Sequence, residues 1–211
     1  MERLWCIALG YLLGSFLTAE LVSRRAAGKP CAEIGSGNPG MANIMAQLGF
    51  WAGAAVLAGD AAKTVLAVGL SGWLWGGALG HLALLYGGFG AALGHDFPAW
   101  RRFRGGKSVA VTVSALILFS PLWGTLAAVA GMLVVFFTGW LPLGAVLIPL
   151  LFVPAAFAVY GAEAGMLAAA LALLMLALHR DGLARVLAGR EPPHAKLLGR
   201  REAPQNENRE K

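Results

Sequence analysis

Residues 109–178 read VAVTVSALILFSPLWGTLAAVAGMLVVFFTGWLPLGAVLIPLLFVPAAFAVYGAEAGMLAAALALLMLAL, a run whose one charged side chain is Glu163. A helix needs about 20 apolar residues to cross the hydrocarbon core of a bilayer, so this run holds several crossings. Pro and Gly interrupt helical pairing at 120–121, 139–142 and 161–163, which divides it into spans near 109–120, 122–138, 143–160 and 163–178. The first of these is short. It reads as a half-helix whose free backbone groups lean on neighbouring protein. Towards the N-terminus lie three more apolar runs, at 4–23, 48–70 and 73–93. The run at 4–23 is not read as a signal peptide, because Glu20, Arg24 and Arg25 close it and no small-residue cleavage site precedes a soluble domain.

The whole chain has the same character. Of 211 residues, 58% are hydrophobic and 13% charged, against roughly 25% charged in a soluble domain. A soluble domain, a disordered chain and a nucleic-acid module are all excluded, and no nucleic-acid partner is expected. The positive charge is topological instead. Of the 17 Lys and Arg, three lie between 24 and 29, four between 101 and 107, and eight after 179. Cations gather in cytoplasmic loops. Seven spans with the N-terminus outside put all three groups inside, whereas six would turn the basic C-terminus outward. The fold class expected is therefore an all-α membrane protein of about seven transmembrane helices with a cytoplasmic C-terminus. Residues 1–191 form one polytopic domain with cytoplasmic loops at 24–47, 94–108 and 179–191, and 192–211 is a polar, disordered tail. Glycines at 72–80 and 87–94 suit close helix contact. Cys6 and Cys31 are read as free thiols.

Three polar clusters stand at the cytoplasmic ends. In Gly35-Ser36-Gly37-Asn38-Pro39-Gly40-Met41-Ala42-Asn43, three glycines surround one Ser and two Asn just before a helix. It reads equally as a nest of N–H groups aimed at an anion or as a tight loop joining two helices. The second cluster runs from Gly94-His95-Asp96 to Gly105-Gly106-Lys107-Ser108. It is not a nucleotide P-loop, since Arg101 stands where that motif needs glycine and no strand precedes it. Gly105 and Gly106 instead let the backbone approach an anion while Lys107 and Arg104 supply charge. Arg101, Arg102 and Arg104 also read as topology and headgroup residues. His95 can carry a proton or hydrogen-bond a phosphate. The third cluster, His179-Arg180-Asp181-Gly182 to Arg185, is favourable at a helix C-terminus for dipole reasons alone.

Asp60 and Lys63, one helical turn apart inside a span, read as a structural polar pair supporting the site or as catalytic groups. No metal-binding spacing joins His81, His95, His179 and His194. His81 reads as a satisfied helix-contact histidine. No G-x-S-x-G elbow surrounds Ser36. Trp100, not Asp, lies five residues after His95, so the soluble-type acyltransferase signature is missing.

In this order, the three clusters resemble the bacterial acyl-phosphate:glycerol-3-phosphate acyltransferases, the PlsY family. The family's G-S-G-N-x-G-A-T-N is similar to residues 35–43. Its L-G-H-x-F-P-x-F-x-x-F-K-G-G-K-G is matched by Leu93-Gly94-His95, Phe97-Pro98, Phe103 and Gly105-Gly106-Lys107. Its H-R-x-N-I-x-R-L-x-x-G-x-E is matched by His179-Arg180, Arg185, Gly189 and Glu191. The resemblance implies a multi-pass enzyme of the bacterial inner membrane whose active site faces the cytoplasm. It would pass a fatty acyl group from acyl phosphate to the first hydroxyl of glycerol 3-phosphate, giving lysophosphatidic acid and phosphate for phospholipid synthesis. Membrane lipid is the other implied partner; no metal, cofactor or acyl carrier protein is. By that resemblance Ser36, His95 and Lys107 are catalytic. Gly35, Gly37, Asn38, Asn43, Arg104, Gly105, Gly106, His179, Arg180 and Arg185 bind substrate.

This chain departs from the family at Met41-Ala42, at Ala46 (a basic residue in the family), at Pro30-Cys31-Ala32 (D-I-R), at Ser108 (Gly) and at Gly182 (Asn). Losing one buried Arg–phosphate pair costs roughly 2–5 kcal/mol. Two alternatives therefore stand beside the family reaction. One is a divergent paralogue with another acceptor, and the other a non-catalytic scaffold or channel.

Overall fold

The computed structural model describes residues 1–191; the expected disorder of 192–211 falls outside the described residues. Among the described residues all regular structure is helical: α1 Glu2–Gly14, α2 Thr18–Ala27, α3 Met41–Leu48, α4 Phe50–Leu79, α5 Leu82–Asp96, α6 Val109–Phe119, α7 Pro121–Thr138, α8 Leu141–Tyr160 and α9 Ala162–Leu187. Five stretches are long and apolar enough to cross a membrane: Glu2–Ala27, α4, α7, α8 and α9. The protein is an all-α membrane protein. α5, with 15 residues, and α6, with 11, occupy the positions expected for the third and fourth spans.

The breaks within 109–178 fall where Pro and Gly predict them. Pro121 and Pro142 sit in the first turns of α7 and α8, where a missing N–H has no helical partner to lose. Two boundaries differ from expectation. No break occurs at 71–72, and α4 continues to Leu79 and stops at Gly80, which takes φ +58°. A glycine inside a helix costs about 1 kcal/mol relative to alanine. Opening the helix in an apolar setting leaves N–H and C=O groups unpaired at several kcal/mol each, so the helix persists. The first span, by contrast, is interrupted at 15–17, a break that becomes part of the site.

Because lipid is as apolar as a leucine side chain, these helices associate by close packing and polar links rather than by burying oil. The tightest seam joins α1 to α5. Gly10 and Gly14 face Gly87, Gly90 and Ala91, and Gly94 faces Tyr11, so that a methyl on Gly10 would strike the Gly87 carbonyl and one on Gly90 the Ile7 carbonyl. The glycines at 87–94 thus meet their expectation. Of those at 72–80, only Gly72 does, packing on Leu84 of α5; Gly76, Gly77 and Gly80 face open space.

The main buried cluster includes Leu85, Leu116, Phe119, Ile148, Phe152 and Leu171. His81 bonds the Phe119 carbonyl and stacks on Tyr160 at 5.8 Å, as a satisfied helix-contact histidine should. At the same end Arg3 forks onto Glu163 at 2.5 and 3.0 Å, and Tyr86 donates to Glu163 at 2.8 Å, tying α1, α5 and α9. All three motif clusters occupy the opposite end.

Gly90→Leu is expected to lower stability in detergent by roughly 1–3 kcal/mol through overpacking against α1. Gly77→Leu, facing open space, should leave the thermal midpoint unchanged or higher.

Candidate active site

α5 delivers His95 and Asp96 at its last turn, both buried. The chain leaves through Phe97, returns, and closes on that turn. Gly105 N–H donates to the Asp96 carbonyl and Gly106 N–H to the His95 carbonyl, both at 2.9 Å. Only glycine fits at either position, because a Cβ on Gly105 would strike the His95 carbonyl and one on Gly106 the His95 ring at Nε2. Lys107 follows at once, half-buried and without an ion pair among the described residues. Ser108 N-caps α6 in a left-handed conformation, φ +41°, and donates through Oγ to Asp96 Oδ2 at 2.8 Å. The outer part of the loop is held by α1. Tyr11 OH donates to the Phe97 carbonyl at 2.7 Å and accepts from Ala99 N–H at 3.0 Å, while Trp100 Nε1 donates to the Ser15 carbonyl at 2.8 Å.

Beneath His95 lies the Asp60–Lys63 pair, buried and 2.9 Å apart. An ammonium has three protons to donate, and Lys63 places all three. Asp60 Oδ1 takes one. The Phe16 carbonyl, released by the interruption between α1 and α2, takes another at 2.8 Å. His95 Nδ1 takes the third at 2.7 Å. A ring nitrogen that accepts carries no proton, so the neutral His95 ring bears its proton on Nε2, the edge beside Gly106. His179, buried in α9, is the mirror case. Its Nδ1 lies 3.0 Å from the Met175 carbonyl and must donate, which leaves the lone pair on Nε2. No hydrogen bond or ion pair joins Lys107 to His179 among the described residues.

The first cluster is built differently from the expected nest. Asn43, buried in the first turn of α3, accepts the Ser36 N–H at 2.9 Å through Oδ1. Its Nδ2 donates to the carbonyls of Ile34 at 2.9 Å and Asn38 at 3.0 Å. Gly37 N–H donates to the Ile34 carbonyl at 2.9 Å, and Asn38 N–H approaches Ser36 Oγ at 3.5 Å. The N–H groups of 36–38 are engaged within the loop, and Asn43 is its internal brace. Gly35 and Gly37 take φ +53° and +73°, which the tight turn needs. The Ser36 side chain stays exposed. No hydrogen bond joins Ser36 or Asn38 to His95 or Lys107 among the described residues.

None of the remaining expected cations bonds His95 among the described residues. Arg104 is exposed. Arg180 pairs at 3.6 Å with Asp181 on the open surface, and Arg185 bonds Glu191 Oε2 at 2.6 Å across the end of α9. Gly182 packs on the Pro142 ring, leaving no room there for a side chain. Among the described residues no three His, Cys, Asp or Glu side chains converge as a metal ligand set.

Sequence reasoning passed over Glu20, which is buried in α2. It receives Arg24 Nε at 2.6 Å on Oε1 and Cys31 N–H at 3.2 Å on Oε2, with Arg101 Nη2 3.6 Å away. One carboxylate thus joins the base of the first loop to the second. The signal was an acidic residue in an apolar run four before an arginine. Burial pushes the neighbouring Cys31 thiol up, and Cys31 Sγ donates to Ser23 Oγ at 3.2 Å.

A sequence model of glycerol-3-phosphate acyltransferases matches residues 4–189. The chain belongs to the glycerol-3-phosphate acyltransferase family. The family's Agrobacterium fabrum member is 37% identical over 184 residues, 87% of each chain. That of Allorhizobium ampelinum is 34% identical over 186 residues, 88% of each. Crystal structures of PlsY, an integral membrane glycerol 3-phosphate acyltransferase, share the fold. The glycerol 3-phosphate form superposes with TM-score 0.80 at 24% identity, covering 92% of this chain and 96% of that one. The lysophosphatidic acid form gives 0.78 at 23%, covering 92% and 95%. Among this chain's departures from the family pattern, Ala46 is exposed on α3, and Ser108 is the residue bonded to Asp96.

Lys63→Met is expected to destabilise the folded protein by about 3–5 kcal/mol, since it strands a buried carboxylate. The Asp60→Leu/Lys63→Met double variant should recover much of that loss in a detergent unfolding assay.

Proposed function

We propose that the protein transfers a fatty acyl group from acyl phosphate to the first hydroxyl of glycerol 3-phosphate, at the cytoplasmic face of a bacterial inner membrane. What carries the reading is Lys107, half-buried and without an ion pair among the described residues, directly after the Gly106 that lies against the His95 ring, in a chain that matches the family from 4 to 189.

The chemistry asks little of a base. The acceptor hydroxyl oxygen attacks the acyl carbon, the bond from that carbon to the phosphate oxygen breaks, and the hydroxyl proton leaves on the phosphate. Products are lysophosphatidic acid and hydrogen phosphate. Acyl phosphate is already activated, so orientation and neutralisation of developing charge dominate the barrier. In this reading Lys107 neutralises phosphate charge and the His95 Nε2–H donates to an oxygen of the reacting group. Lys63 prevents His95 from acting as the base through Nδ1. His179 Nε2, a lone pair, accepts a hydrogen bond from the substrate hydroxyl. The exposed hydroxyl of Ser36 donates to a phosphate, in place of the backbone N–H groups that Asn43 and Ile34 engage.

A second reading is a different phosphorylated or polar acceptor. It is supported by Ala46, exposed and uncharged on α3, and by the closed N–H groups of the first loop.

Purified protein in detergent, given palmitoyl phosphate and labelled glycerol 3-phosphate, is expected to form lysophosphatidic acid, and to form none with acyl-CoA. Phosphate release only with other acceptors would establish the second reading. Failure with every acceptor in folded protein would leave a scaffold. Lys107→Ala should lower kcat/KM by on the order of 10²-fold or more with an unchanged thermal midpoint.

A further inference from the structure

Lys107 has no side-chain partner among the described residues, yet its backbone is held on both sides. On one side Gly106 N–H bonds the His95 carbonyl at 2.9 Å. On the other, Ser108 Oγ bonds Asp96 Oδ2 at 2.8 Å. Both anchors lie on the last turn of α5, beside the His95 ring.

The second anchor is unusual in two ways. Ser108 sits at φ +41°, ψ +22°, a left-handed conformation that side-chain-bearing residues resist and glycine adopts freely. Asp96 is 2% exposed, and its other oxygen, Oδ1, is buried without any partner. A buried carboxyl with an unpaired oxygen is a poor contributor to stability. Its one hydrogen bond goes to the hydroxyl of the residue in the resisted conformation. We infer that Asp96 is a positioning residue: through Ser108 it holds the left-handed turn that places Lys107 directly after Gly106, beside the last turn of α5 and His95. Without the tether, Ser108 relaxes towards ordinary helical or extended backbone, α6 begins differently, and Lys107 swings away.

The inference rests on the acyl-transfer reading for the role of Lys107, but not for its placement, so two readouts separate them. The first is kcat/KM for palmitoyl phosphate. The second is reactivity of Lys107 towards an amine-acylating reagent in detergent, read by peptide mass spectrometry and independent of turnover. Ser108→Ala and Asp96→Ala should each lower kcat/KM on the order of 10²-fold, as a misplacement of about 1 Å does, and should change Lys107 labelling. Asp96→Asn keeps an oxygen that accepts the Ser108 hydroxyl and should behave as wild type in both. Asp96→Ala/Ser108→Gly should recover both readouts, because glycine holds the turn unaided. Should Asp96→Ala not fold, Ser108→Ala with Asp96 intact decides the matter.

Wild-type labelling in Ser108→Ala would overturn the tether. So would an Asp96→Asn variant as impaired as Asp96→Ala, since charge would then be what matters. A double variant no better than Asp96→Ala would also overturn it. An inactive wild type that shows the expected labelling pattern would remove the acyl-transfer reading and leave the positioning intact.

Discussion

Lys63 holds the working end of this protein together because it is a buried cation with three protons to place. Each proton must find an acceptor, and the three acceptors belong to different parts of the fold. The Phe16 carbonyl lies in the interruption between α1 and α2, Asp60 on α4, and His95 on α5. Satisfying one ammonium therefore fixes where the first span breaks, how α4 rotates, and which edge of the His95 ring carries a proton. Glu20 does the same from the other sign of charge, with Arg24, Arg101 and the Cys31 N–H around one carboxylate. Buried ionisable groups are costly in hydrocarbon unless every bond is made, and here each of the two organises a set of neighbours.

Much of this was legible in the sequence. The Pro and Gly breaks at 120–121, 139–142 and 161–163 came out as read, because those residues act through local backbone geometry. So did the i, i+3 spacing of Asp60 and Lys63. What failed was the inference from glycine alone. Glycines at 72–80 suggested both a break and a contact, but glycine only permits these, and the apolar setting decides whether a helix can open. The interruption at 15–17 was invisible for the opposite reason. It is stabilised by Lys63, forty-seven residues away in sequence.

The motif residues divide along a physical line. Gly105, Gly106 and Asn43 were expected to bind substrate, and in the fold Gly105 and Gly106 lie against His95 while Asn43 bonds within its own loop. Positions whose role was inferred from charge fared less evenly. Arg185 is engaged by Glu191 and Arg180 by the surface Asp181, so their charge is already balanced within the third cluster. Lys107 alone among the expected cations is half-buried without an ion pair among the described residues. A motif string records residue types but not which of them neutralise one another, and only packing supplies that.

The glycine seam between α1 and α5 has a consequence for any molecule that carries an alkyl tail. Their backbones approach so closely that one added methyl at Gly10, Gly14, Gly90 or Gly94 would collide with a main-chain atom of the other helix. A methylene chain is thicker than that gap, so no tail threads between these two helices. The side of the bundle formed by α1 and α5 is a closed wall. Any alkyl tail bound to this protein lies outside that seam.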